Sequence, residues 1–138
     1  MFLENLQSKK VMDVQSNKDI EGQNVIVWNK HGNVNQRWRI VYVDSKQDQT
    51  KGLNKDFGFF IDRPFYIVSK LSMKRAIAYR GGNDLAIRDI VDGSKDWKWT
   101  FDGKTKTIRT LRGDNSLAIM SSGGAKKVST EKTNSRWW

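Results

Sequence analysis

An all-β chain built from three repeats of one small unit is what this sequence predicts, on three observations. Three segments rhyme and each lands on tryptophan: Asn35-Gln36-Arg37-Trp38, Asp96-Trp97-Lys98-Trp99 and Asn134-Ser135-Arg136-Trp137. An apolar run precedes each mark, KVMDV at 10–14, RAIAY at 75–79 and NSLAI at 115–119. The apolar residues alternate with period two, at Val25 and Val27, at Trp38, Ile40 and Tyr42, at Phe65 and Ile67, and at Leu85 and Ile87. That is the period of a strand, and no twelve-residue stretch carries a helical stripe. Eleven Gly against one Pro, with many Asn, Asp and Ser, supply the turns. Repeated units that cannot bury their apolar face alone must close around a shared core.

In order along the chain, the strand-forming runs are FLENL (2–6), KVMDV (10–14), NVIVW (24–28), RWRIVYV (37–43), FFI (59–61), FYIVS (65–69), AIAY (76–79), LAIRD (85–89), WKWTF (97–101), TIRTL (107–111), LAIM (117–120) and KVST (127–130). About four fall in each repeat, the count of a twelve-stranded β-trefoil. Repeat one is expected at 1–48, an inserted loop and repeat two at 49–103, and repeat three at 104–138. The key tryptophans are unequally spaced, 61 residues from Trp38 to Trp99 and 38 from Trp99 to Trp137. The surplus lies in the polar stretch 44–64, read as a loop inserted between repeats whose aromatic end, Phe57 to Phe60, folds back on the barrel. A functional loop is the other reading. Repeat one continues past its Trp with Arg39-Ile40-Val41-Tyr42-Val43, whereas the chain stops at Trp138. The last strand therefore reads as truncated, and the chain as part of a larger polypeptide or assembly.

A length of 138 residues suits one domain, 1–138, with a real core. The sequence has no run of eighteen apolar residues, so no membrane-spanning helix is expected. The opening Met-Phe-Leu-Glu-Asn-Leu lacks the basic start and long apolar stretch of a signal peptide. Without Cys, disulfides and thiolate chemistry are excluded, which leans toward a cytoplasmic, reducing compartment. One His, no phosphate loop, no metal-ligand spacing and no carboxylate pair in an apolar context argue against an enzyme, and no cofactor or metal is expected.

The net charge of +10 is uneven, with eight basic and two acidic residues in 104–138. The cations are Lys104, Lys106, Arg109, Arg112, Lys126, Lys127, Lys132 and Arg136. Such a face attracts nucleic acid, anionic lipid, sulfated glycan or an acidic protein; the plain reading is a solvated surface. Nucleic acid is disfavoured, because alternation already explains the basic-aromatic pairs: Trp38 and Trp99 point inward while Arg37, Arg39 and Lys98 face water.

The ordered series Asp13, Gly22, Trp28, Asn35, Gln36, Trp38 resembles the ricin-type (Q-x-W) β-trefoil lectins. The likeness is strong over 6–43, fair over 65–102 and weaker over 104–138. It implies a β-trefoil that binds sugars, galactose or N-acetylgalactosamine-like, on a glycan or glycoprotein and without catalysis. It also implies a sugar site of Asp13, Trp28, Asn35 and Gln36, with Gln36 and Trp38 tying the end of the repeat into the core. The residue types suit that chemistry. An ionised Asp13 accepts from two neighbouring hydroxyls, Asn35 donates to one hydroxyl and accepts from another, and Trp28 offers a flat face to the C–H side of a pyranose. Gln15, Ser16 and His31 lie near enough in the chain to line the rim. The plain readings are a turn-capping Asp13 and a core-facing Trp28. Ile26 stands where many family members have a polar residue, removing one support for the Asp.

Repeats two and three lack the pattern. Ala78 replaces Asp13, Arg88 or Asp89 replaces Trp28, and Trp97 replaces Gln36. In repeat three Ala118 stands for the Asp and Thr130 or a neighbour for the aromatic, while Asn134 survives. One working site is therefore expected, in repeat one. The competing expectation is a degenerate trefoil that serves as a protein-interaction or structural module through its basic third repeat.

Overall fold

The computed structural model describes residues 1–6, 8–43, 53–54, 59–60, 63–72, 74–79, 85–91, 93–102, 107–112, 116–119 and 128–131. Its strands are β1 (Val11–Val14), β2 (Gln23–Trp28), β3 (Trp38–Tyr42), β4 (Leu53–Asn54), β5 (Phe59–Phe60), β6 (Phe65–Ser69), β7 (Arg75–Tyr79), β8 (Leu85–Asp89), β9 (Trp99–Asp102), β10 (Thr107–Thr110), β11 (Ser116–Ile119) and β12 (Val128–Glu131). All pairings are antiparallel. The main sheet runs β1-β2-β8-β7-β6-β9-β10-β11-β12, and β3 branches off against β6.

Two expected strands behave differently. The FFI run does not join the main sheet: Phe59 and Phe60 pair with Asn54 and Leu53 in a two-stranded sheet of their own. Its strand propensity is met by a partner a few residues away, inside the insertion. The packing of Phe57 to Phe60 lies outside the described residues, as does any closing strand near Trp138. FLENL shortens to isolated bridging at Glu4 and Asn5, with Glu4 paired to Val11. Lys9, at φ 63°, turns the chain back at once, with Asn5 N donating to Lys10 O and Lys9 N to Asn5 O, both at 2.8 Å.

Alternation decides what each hairpin buries. In β1–β2, Met12 pairs with Val27 and Val14 with Val25, and all four face the core. In β7–β8 the inward pairs are Ile77 with Ile87 and Tyr79 with Leu85. Leu3, Trp38, Phe65, Ile67, Trp99, Phe101 and Ile108 complete this core, each 0% exposed. Truncating a buried aromatic of this size costs about 3–5 kcal/mol. The marked indoles of repeats one and two make the same bond, each to its own repeat: Trp38 Nε1 donates to Met12 O at 3.2 Å, and Trp99 Nε1 to Ile77 O at 3.1 Å; Trp137 lies outside the described residues. Met12 and Ile77 are thereby equivalent, and so are the outward-facing neighbours Asp13 and Ala78.

Candidate functional site

The outer face of the β1–β2 hairpin carries Asp13 opposite Ile26 and Val11 opposite Trp28. Over it folds the segment 29–37, whose short 3-10 turn Val34–Gln36 buries Asn35 and Gln36. This covering explains why every residue of β1 is buried although only alternate ones face the core.

Gln36 is the knot of that segment. Its Nε2 donates to Asp13 Oδ2 at 3.0 Å and to Asn29 O at 2.9 Å. Its Oε1 accepts from His31 N at 2.9 Å and Gly32 N at 3.2 Å. The amide is 0% exposed and has no hydrogen-bonding capacity left. Counted with the sugar-site residues in the sequence, Gln36 lies one layer behind the cleft and holds the carboxylate and the loop in place.

Asn35 Nδ2 donates to Asp13 Oδ1 at 3.0 Å and Val14 O at 3.1 Å. Both targets are acceptors, so the amide cannot be flipped. Its two hydrogens are engaged, and Oδ1 is buried without a partner. The expected donation from Asn35 to a ligand hydroxyl is therefore replaced by donation to Asp13. These two amides also supply the support that Ile26 does not. Each Asp13 oxygen takes one amide hydrogen and keeps capacity for another donor. Burial pushes the carboxyl above its ordinary value of 3.8, while the Gln36 bond, nearby His31 and the Asn35 bond pull the other way.

Above Asp13 lies a cleft of about 400 Å³, lined by Asp13, Gln15, Ser16, Asn17, Ile26, Trp28, His31, Asn33 and Asn35. Trp28 is 47% exposed, which places the indole at the surface and not in the core. His31, without an evident partner in the sequence, sets Nε2 at 3.6 Å from Asp13 Oδ2. Its Nδ1 accepts from Asn33 N at 3.1 Å, so Nε2 is the ring nitrogen that faces the carboxylate. The opposite rim is the turn Gln15–Asn17, where Ser16 and Asn17 adopt left-handed φ of 61° and 56°. Gln23 Nε2 to Gln15 O, at 2.6 Å, and Asn24 Nδ2 to Gln15 Oε1, at 3.2 Å, brace that turn from β2. Asn17 and Asn33 were not anticipated; the tolerance of Asn for left-handed turn positions was the available signal for Asn17.

In repeat two the same face is apolar. Ala78 pairs with Ala86, and the register puts Arg88 at the Trp28 position, resolving the choice between Arg88 and Asp89. Trp97, equivalent to Gln36, packs with Val68, Ala76 and Ala78 and is 2% exposed. Asp96, equivalent to Asn35, instead ion-pairs with Arg112 at 2.6 Å. In repeat three Ala118 pairs with Ser129, which sets Glu131 at the register position of Trp28; Asn134 lies outside the described residues. Among the described residues no group of three His, Cys, Asp or Glu could hold a metal. None of the described helices is long and apolar enough to cross a membrane.

No protein-family model and no curated protein matches this sequence. Solved structures do match in fold. A designed threefold-symmetric protein, ThreeFoil, superposes with a TM-score of 0.71 at 19% identity, covering 99% of this chain and 94% of that one. The C-terminal half of an earthworm R-type lectin in complex with GalNAc gives 0.69 at 20% identity, covering 99% and 94%. The β-trefoil lectin of Vibrio vulnificus hemolysin/cytolysin with N-acetyl-D-lactosamine bound gives 0.66 at 19%, covering 99% and 90%. At these identities the likeness defines the fold. This chain is a β-trefoil.

Proposed function

We propose that the chain is a carbohydrate-binding, lectin-like module with one sugar site, in repeat one. The observation that carries this reading is the Asp13 carboxylate at the base of a cleft walled by an exposed indole. Its oxygens are oriented by two amides and each retains acceptor capacity. A pyranose would rest its C–H face on Trp28 and donate two adjacent hydroxyls to Asp13, with His31 Nε2 directed at the same group. Asn35 and Gln36 act through Asp13. The sugars in the earthworm and Vibrio lectin structures support a galactose-type ligand. No bond is made or broken in such a site.

One open cleft binds in the millimolar to high micromolar range, about −4 to −6 kcal/mol. Titrating galactose, N-acetylgalactosamine and glucose by NMR should give saturable shifts at the Trp28 indole N–H. Trp28→Ala should abolish the accompanying shifts at the backbone amides of the cleft residues His31 and Asn33, while changing stability by only about 0.5 kcal/mol, as exposed positions do. Absence of any shift at Trp28 with all three sugars would remove this function. The alternative, a basic interaction face on repeat three, gains nothing from its described cations: Arg109 lies 3.8 Å from Asp102, and Arg112 pairs with Asp96.

A further inference from the structure

The loop that walls the cleft has a second, cationic side. Lys30 Nζ sits 4.1 Å from the centre of the Phe2 ring, and Arg37 Cζ approaches the same ring at 5.7 Å. Arg37 Nε donates to Gly32 O at 3.1 Å, and Gly32 separates the cleft-lining His31 and Asn33. Lys70 joins them through its backbone N–H, which donates to Arg37 O at 3.0 Å. Lys30, Arg37 and Lys70 are all exposed. The Met1 amino group, bonded to Trp38 O at 2.8 Å, has its pKa held below the ordinary value by burial first and then by the charges of Lys70 and Arg37.

No carboxylate pairs with Lys30, Arg37 or Lys70 among the described residues, whereas Arg75, Arg88, Arg109 and Arg112 each have acidic partners. Like charges gathered without a counter-charge repel one another, and an external anion relieves that repulsion. Phe2 limits where the Lys30 ammonium rests, so part of its ordering cost is already met in the free protein. The anion cannot occupy the cleft itself, because Asp13 faces it there. It must be attached to the sugar that does.

Resting on the sugar-site reading above, we infer that the ligand carries a carboxylate or sulfate just beyond the residue seated on Asp13 and Trp28, and that Lys30, Arg37 and Lys70 receive it. The cleft selects a neutral residue and the cationic ledge selects its acidic extension.

The test compares lactose, 6′-sialyllactose and 6′-sulfolactose by NMR titration at low and at half-molar salt. At least one acidic form should bind about 3- to 10-fold tighter than lactose at low salt, the range open to two or three exposed ion pairs. The gain should shrink at high salt. A gain with the sialyl form alone, the sulfo form alone or both supports the inference and identifies the group. Lys30→Gln/Lys70→Gln, which leaves every cleft-lining residue in place, should lose most of the gain and keep lactose affinity within about twofold. Lactose binding without any gain, or a gain that survives the double substitution, overturns the inference and leaves the sugar site standing. If lactose causes no shift at Trp28, both readings fall together.

Discussion

Repeats one and two share a hairpin, a register and a buried indole bonded to the strand beneath it, yet their outer faces are opposites. On repeat one, Asp13 is gripped by Asn35 and Gln36 below an open cleft. On repeat two, Ala78 leaves the room that Trp97 fills, and the face closes as a small apolar cluster. The difference lies in a few side chains on an unchanged inner scaffold. Inner positions are dictated by the common core. Outer positions are free to build a polar cleft or a plug, provided that neighbours change together. An Asp needs its amide donors, and an indole at the Gln36 position needs a small neighbour.

The sharpest way to break this comparison is Ala78→Asp. It places a carboxylate at a site 1% exposed, against Trp97 and without the two amides that serve Asp13. An uncompensated buried charge should lower stability by about 3–5 kcal/mol at neutral pH, read from denaturant unfolding. Trp97→Gln should then cost less on the Ala78→Asp background than on the original protein, because the double change restores an amide beside the acid. A loss below about 1 kcal/mol would mean that the face of repeat two is far more open than described.

Next in size is Gln36→Ala. It strands Asp13 Oδ2, Asn29 O and the N–H groups of His31 and Gly32. The expected cost is about 2–4 kcal/mol of stability by thermal or denaturant unfolding, from one buried and three partly buried polar groups left unpaired. Sugar affinity should fall too, since the loop bearing His31 loses its anchor. A variant that unfolds like the original protein would show that water replaces this amide without penalty.

Much of this arrangement was legible in the chain. Period-two alternation at Val25 and Val27 already sends Trp28 outward, and the Trp38 and Trp99 marks identify the inward indoles. The position of Ala78 is enough to mark repeat two as different. The remainder depends on geometry that no spacing encodes. Which way the Asn35 amide points follows from the turn at 34–36 lying over β1, where Val14 O and Asp13 Oδ1 are both within reach. The approach of His31 to Asp13 has the same origin. Phe59 and Phe60 show a further limit: their strand propensity is plain, but a partner inside the insertion wins over the main sheet.

The smallest effect expected is a pH dependence unique to repeat one, what remains after burial of Asp13 is partly offset by Gln36, His31 and Asn35. Its folded pKa lies above the ordinary 3.8, so between those two values the native state holds more proton than the unfolded chain. The stabilising share of this group is then fully present below about pH 3.8 and is lost as pH rises through the raised value. Sugar binding runs the opposite way, because only the ionised carboxylate accepts from two hydroxyls at once. Comparing unfolding free energies of the original protein and Asp13→Asn across acidic pH isolates this term, since the other carboxylates are common to both and cancel. The difference should move against Asp13 as pH rises, while sugar shifts at Trp28 grow through the same window. A difference that stays flat, or binding that persists unchanged well below pH 3.8, would mean that the acid is as well solvated as any surface carboxylate. The contrast with the closed face of repeat two would then lie in shape alone. If both trends appear, the carboxylate that lets repeat one bind is the same group whose ionisation weakens its fold, a cost that Ala78 spares repeat two.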